Sequence, residues 1–130
     1  PNNPMLLNNK AYACALSGQT VEAGRIIQEA KKLQLSADTK VCLIATEGLT
    51  EYRKGNIEEG RKLYTEAILL AKNSFSEPYI MNTAILNFTR EEARADKDFD
   101  KSLLEVIDKI PNDCKETEQL KMDIKAEIKD

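Results

Sequence analysis

Apolar residues recur along this chain at the three- and four-residue spacing of amphipathic helices, and no segment shows the alternation of a half-buried strand. Seven such stripes predict seven helices. In chain order the stripes are Leu7/Ala11/Cys14/Ala15, Ala23/Ile26/Ile27/Ala30/Leu33, Val41/Ile44/Ala45/Gly48/Tyr52, Gly60/Leu63/Tyr64/Ala67/Ile68/Ala71, Met81/Ala84/Ile85/Phe88, Phe99/Leu103/Val106/Ile107/Ile110 and Leu120/Ile124/Ile128. The pattern therefore predicts an all-α protein.

Residues that favour helix ends stand between the stripes. Asn3 before Pro4 predicts the N-cap of the first helix, and Ser36 or Asp38 predicts that of the third. The segments 56–59 and 113–116 each place a capping residue three positions before a Glu, the spacing of a capping box. Pro111 is expected to end the sixth helix.

The pattern also repeats along the chain. Gly18 and Gly55 both occupy the turn between two helices and lie 37 residues apart. The small residues Ala11, Gly48 and Ala84 recur at nearly the same interval inside the first helix of each pair. A period of this length is typical of helical arrays in which each hairpin buries its apolar face against the next.

These residues resemble the tetratricopeptide (TPR) family, whose repeats are helix-turn-helix units with small residues where helices cross and a glycine at the turn. The resemblance implies a right-handed superhelical stack of three repeats within residues 4–110, at about 4–37, 38–75 and 76–111, followed by a capping helix at 112–129. The sequence departs from the family in the third repeat, which lacks the turn glycine and carries extra residues near 91–97.

In the family the first helix of each repeat lines a concave groove that holds another polypeptide. The resemblance therefore implies a scaffold or adaptor whose groove binds a peptide or a helix. The groove positions that it implies in this sequence are Met5, Asn8, Tyr12, Cys42, Ala45, Leu49, Tyr52, Met81, Ile85 and Phe88. Tyr12, Leu49 and Tyr52 are the strongest candidates, because each lies beside a packed stripe. The alternative for each residue is a place in the core between repeats.

Composition argues against several kinds of chemistry. The chain has no histidine and no Cys-x-x-Cys pair, which disfavours histidine-dependent catalysis and common zinc sites. Asp96, Asp98 and Asp100 alternate like part of a calcium loop but lack its glycine and final Glu. Glu91 and Glu92 are adjacent on a helix, so they diverge and do not form an acid–base pair. We expect no enzyme activity, no cofactor and no metal.

Charge and cysteine content narrow the partners and the compartment. The net charge is −3, without a basic stripe, so nucleic acid and membrane are not expected partners, and no small-molecule substrate is expected. Three widely spaced cysteines do not form a disulfide framework, and no apolar run is long enough for a bilayer span. A cytoplasmic location is expected.

Two other functions remain open from the sequence. The chain does not begin with Met, so it is compatible with a regulatory or targeting segment of a larger multidomain enzyme. An RNA-binding helical repeat has a similar hairpin length, although the acidic balance argues against it.

Overall fold

The computed structural model describes residues 3–96, 99, 103–112 and 114–128. Seven helices and no strand occur in this described part, which confirms the all-α prediction. The helices are α1 Pro4–Leu16, α2 Thr20–Lys31, α3 Ala37–Lys54, α4 Ile57–Asn73, α5 Pro78–Ala95, α6 Leu103–Asp108 and α7 Lys115–Ile128. The side chains of Leu103 and Val106, predicted to face inward, lie outside the description, as do Asp98, Asp100 and Asp113.

Several helix ends follow from the capping residues. Asn3 Oδ1 accepts hydrogen bonds from the backbone N–H groups of Met5 at 2.9 Å and Leu6 at 3.4 Å. Ser36 Oγ accepts from the Thr39 N–H at 3.2 Å. Gly55 ends α3 with a φ of 92°, in the left-handed region that only glycine adopts without strain. The caps at Asn3 and Ser36 and the stop at Gly55 are thus confirmed.

The capping box predicted at residues 56–59 does not form. The Asn56 side chain makes no capping hydrogen bond to α4. Its amide group instead turns back and donates to the Glu51 carboxylate of α3 at 3.4 Å. The backbone N–H of Asn56, which Glu59 would cap in such a box, donates instead to the carbonyl oxygen of Glu51 at 2.9 Å. The second predicted box depends on Asp113, which lies outside the described residues.

Helix α3 lies at the centre of the molecule and packs against α1, α2, α4 and α5. Its contacts with α1 show that the two helices run in the same direction. Thr46 Oγ1 donates to Asn8 Oδ1 at 2.7 Å across 38 positions, and Arg53 donates to the carbonyl oxygen of Leu16 across 37. The spatial offset therefore equals the period found in the sequence.

The crossing of α3 and α4 depends on two glycines. A Cβ atom on Gly60 would lie 2.5 Å from Cδ2 of Tyr52, and one on Gly48 would lie 3.0 Å from Cδ2 of Tyr64. The rings occupy the space that larger residues would fill. The close approach of these helices therefore explains the small residues that recur in the sequence.

The C-terminal helices differ in part from the predicted arrangement. The sequence pairs α5 with the sixth helix and leaves α7 as a cap. In the structure α6 has only six residues, and α7 packs directly against α5. Arg94 of α5 forms an ion pair with Glu127 of α7 at 2.9 Å. The predicted inward positions of α7 are confirmed in a cluster of buried residues formed by Leu86, Ile107, Leu120 and Ile124.

Candidate binding cleft

A cleft of about 330 Å³ opens between α1, α3, α5 and the beginning of α7. Apolar side chains from α3 and α5, including Val41, Ala45, Ile80 and Ala84, line part of it. Polar side chains from three helices line the rest. We call Asn8, Tyr12, Thr46 and Asn87 the polar wall of this cleft. Other residues that line it are Met5, Asn9, Cys42, Tyr64, Tyr79, Thr83, Cys114 and Glu116.

Hydrogen bonds fix the polar wall. The hydroxyl of Tyr12 on α1 donates to Asn87 Oδ1 on α5 at 3.0 Å, although 75 positions separate the two residues. The same oxygen accepts from Arg90 Nη2 at 2.7 Å, and Asn87 Nδ2 donates to the carbonyl oxygen of Thr83 at 3.0 Å. Asn87 therefore has both ends of its amide engaged, and its orientation is fixed.

A charged cluster of Arg53, Arg90 and Glu91 lies behind the polar wall. Arg90 and Glu91 are only 5% and 3% exposed. Arg90 Nε donates to Glu91 Oε2 at 2.9 Å, and Arg53 donates to both carboxylate oxygens at 2.8 and 3.2 Å. Burial raises the pKa of Glu91, but the hydrogen bonds from Arg53 and Arg90 outweigh it and the pKa is lowered. The buried carboxylate is therefore ionised and paired.

Three aromatic rings pack together beside the cleft. Tyr64 stacks on Phe88 with ring centroids 5.2 Å apart and planes at 11°, and Tyr52 contacts both rings. Tyr64 also lines the cleft, whereas the hydroxyl of Tyr52 points to α5 and donates to Glu92 Oε1 at 2.8 Å. This packing holds one wall of the cleft rigid by apolar burial.

The two cysteines that line the cleft have opposite pKa shifts. Burial raises the pKa of Cys42 to about 11, and negative charge on Asp38 and Glu116 adds to this rise. Hydrogen bonding to Thr117 lowers the pKa of Cys114, whose Sγ lies 3.6 Å from Thr117 Oγ1. Because the thiolate is the reactive form, Cys42 is a poor nucleophile at neutral pH.

The structure brings only some of the predicted groove residues to the cleft. Asn8, Tyr12 and Ala45 line it, as do Met5 and Cys42. Leu49 and Tyr52, by contrast, do not line the cleft and pack together in a buried core cluster.

The predicted groove residues of α5 do not line the cleft. Met81 packs against a core cluster, Phe88 packs among the aromatic rings, and Ile85 is half-buried outside the cleft. The residues of α5 that do line the cleft include Ile80, Ala84 and Asn87, each one position before a predicted residue. A helix turns about 100° per residue, so this small difference selects another face. Residues 80, 84 and 87 have the spacing of one helix face, so the sequence does contain a pattern that indicates this surface.

No group of three or more potential metal-ligating residues is found within the described ranges, and no helix there has the length and apolarity of a bilayer span. Comparison with family models finds no matching family, and searches of curated proteins and of solved structures also find no match.

Proposed function

We propose that this chain is a protein-interaction module of the TPR type, a superhelical stack of helix hairpins that holds a segment of another polypeptide in the cleft. Contacts between α1 and α3 support the repeat, because they join residues 37 and 38 positions apart. Arg53 and Glu91 join α3 and α5 at the same spacing of 38. Successive first helices thus lie side by side in one direction, as a stack requires.

The observation that carries this proposal is the cleft itself. Three helices that are not consecutive in the chain, α1, α3 and α5, contribute to one concavity with apolar and polar walls. The side chain of Tyr12 on α1 reaches Asn87 on α5, so residues of the first and third of these helices meet at the cleft. A volume near the lower end of ligand cavities, roughly 300 Å³, suits one or two side chains of a bound segment.

The chemistry of the cleft supports binding over catalysis. The thiol of Cys42 is protonated at neutral pH because its pKa is raised to about 11. The carboxylates of Glu91 and Glu92 are engaged by arginines, not directed at the cleft. No Lys or Arg is among the described residues that line it, which disfavours RNA as the partner. We propose a scaffold or adaptor of the cytoplasm that needs no cofactor.

Selection from a library of random linear peptides displayed on phage tests this proposal. The blocking variant is Asn9→Trp, because Asn9 is exposed and lines the cleft. The matched control is Lys10→Trp, which places the same side chain on the next, exposed position of α1 outside the cleft lining. We expect the wild-type chain and Lys10→Trp to enrich the same peptides and Asn9→Trp to lose them.

Circular dichroism of all three proteins controls for folding. Failure of the wild-type chain to enrich any peptide would contradict the proposal. Equal enrichment by a folded Asn9→Trp protein would show that peptides bind elsewhere.

A further inference from the structure

Among the described residues that line the cleft, the charged side chain is negative. Among its described residues, Glu116 is the one with a charged side chain, and it stands in the first turn of α7. The nearby arginine Arg90 is behind the polar wall, where Glu91 and Asn87 engage it. The cleft therefore presents a carboxylate without a basic residue beside it in the lining.

Two groups inside the cleft experience this negative charge. Burial is the main cause that raises the pKa of Cys42, and the charges of Asp38 and Glu116 raise it further. Burial also raises the pKa of Tyr12, where Arg90 opposes the rise and Glu116 adds to it. Cys42 is on α3 and Tyr12 on α1, so Glu116 lies near groups of both helices, although at Tyr12 the positive charge of Arg90 has the larger effect.

We propose that the occupant of the cleft is a peptide segment that places an apolar side chain against Met5, Cys42 and Tyr79, which line the cleft and keep exposed surface, and a Lys or Arg side chain beside Glu116. This inference rests on the proposed function and adds the chemistry of the partner. A long basic side chain suits both surfaces, because its aliphatic stem covers apolar atoms while its charged end meets the carboxylate. Charge complementarity of this kind selects among partners more than it raises affinity.

The test uses the most enriched peptide from the wild-type selection and a synthetic copy in which each Lys or Arg is replaced by Gln. The protein variants are Glu116→Gln and the control Glu118→Gln. Both residues are exposed and lie in the first turn of α7, so the two changes perturb the helix terminus alike, but only Glu116 lines the cleft. Affinities are measured by isothermal titration calorimetry at low and at physiological salt.

We expect Glu116→Gln to weaken binding of the basic peptide about two- to fivefold, the range of an exposed ion pair, with a smaller loss at higher salt. Binding by Glu118→Gln should equal that of the wild-type chain. The Gln-substituted peptide should bind both variants and the wild-type chain with the same reduced affinity, which would locate the lost interaction at Glu116.

Three results would overturn the inference. If the enriched peptides lack Lys and Arg, or if Glu116→Gln binds the basic peptide as tightly as Glu118→Gln does, the partner is not basic at this site, while the interaction module itself stands. If the wild-type chain enriches no peptide, both proposals fall.

Discussion

The Arg53 guanidinium on α3 binds the Glu91 carboxylate on α5 through two hydrogen bonds, from Nε to Oε1 at 2.8 Å and from Nη2 to Oε2 at 3.2 Å. Arg90 adds a third bond to the same carboxylate. The buried negative charge is thus shared between two helices, and each arginine depends on it.

Replacement of Glu91 by Gln should destabilise the fold by about 3 kcal/mol, because it leaves Arg90 buried without its counter-charge. Urea denaturation at neutral pH measures the loss. Glu22→Gln is the control: it removes a carboxylate that pairs with Arg25 on the surface of α2, and little change is expected. Equal midpoints for the two variants would show that the charged cluster does not stabilise the fold.

Acid should lower the free energy of unfolding, because it protonates the Glu91 carboxylate. The pKa of Glu91 is lowered from its ordinary value of 4.5, so its ionised form contributes stability that is fully present above that pH and is lost as the pH falls through the lowered value. We expect the free energy of unfolding to decline below about pH 4.5. The decline should be shallower in Glu91→Gln, and parallel pH profiles would contradict this assignment.

Gly60→Ala should destabilise the protein by about 2 kcal/mol, because the added Cβ would overlap the ring of Tyr52. Gly24→Ala is the matched control, since Gly24 also lies within a helix but has open space around it. There the higher helix propensity of Ala should stabilise the chain by about 0.8 kcal/mol. Thermal melting of both variants tests this, and a shift in the same direction for both would refute the packing explanation.

At position 75 a glycine variant should be more stable than an alanine variant, the reverse of the order found within helices. Phe75 follows α4 with a φ of 53° and a side chain that is 95% exposed, so its backbone is in the left-handed region and its ring is in solvent. We expect Phe75→Gly to be more stable than Phe75→Ala by about 1 kcal/mol, because only glycine adopts this φ without strain. Greater stability of the Ala variant in urea would contradict this.

Alkylation should distinguish the two cysteines of the cleft. Iodoacetamide at neutral pH should modify Cys114 before Cys42, because the pKa of Cys114 is lowered and that of Cys42 is raised to about 11. Peptide mapping by mass spectrometry follows both sites, and Cys114→Ser identifies the signal. An enriched peptide should slow the reaction of Cys114. Faster modification of Cys42 would contradict the pKa order.

The sequence predicted the helices well because their signals are local. Asn3, Ser36 and Gly55 act on the turn beside them, and the apolar stripes follow the helical period. The Asn56 box does not form because the Asn56 N–H that it requires is bound to the carbonyl oxygen of Glu51 at the end of the preceding helix. Local spacing alone does not reveal that bond.

The cleft was less predictable because it depends on how α1, α3 and α5 are rotated about their axes. The choice of Met81 over Ile80 on α5 moves the predicted face by about 100°. The sequence identifies Glu91 only as one of two diverging carboxylates, because nothing near it indicates that Arg53, 38 positions away, pairs with it. Burial of a charge is decided by such distant partners.

In a linear array each repeat contacts only its neighbours, so an end can fray while the remainder stays folded. The bond between Tyr12 and Asn87 departs from that rule, since it fastens the first hairpin directly to α5. Fraying of the first hairpin would therefore also remove a hydrogen-bond partner from α5, which a purely linear array would not lose.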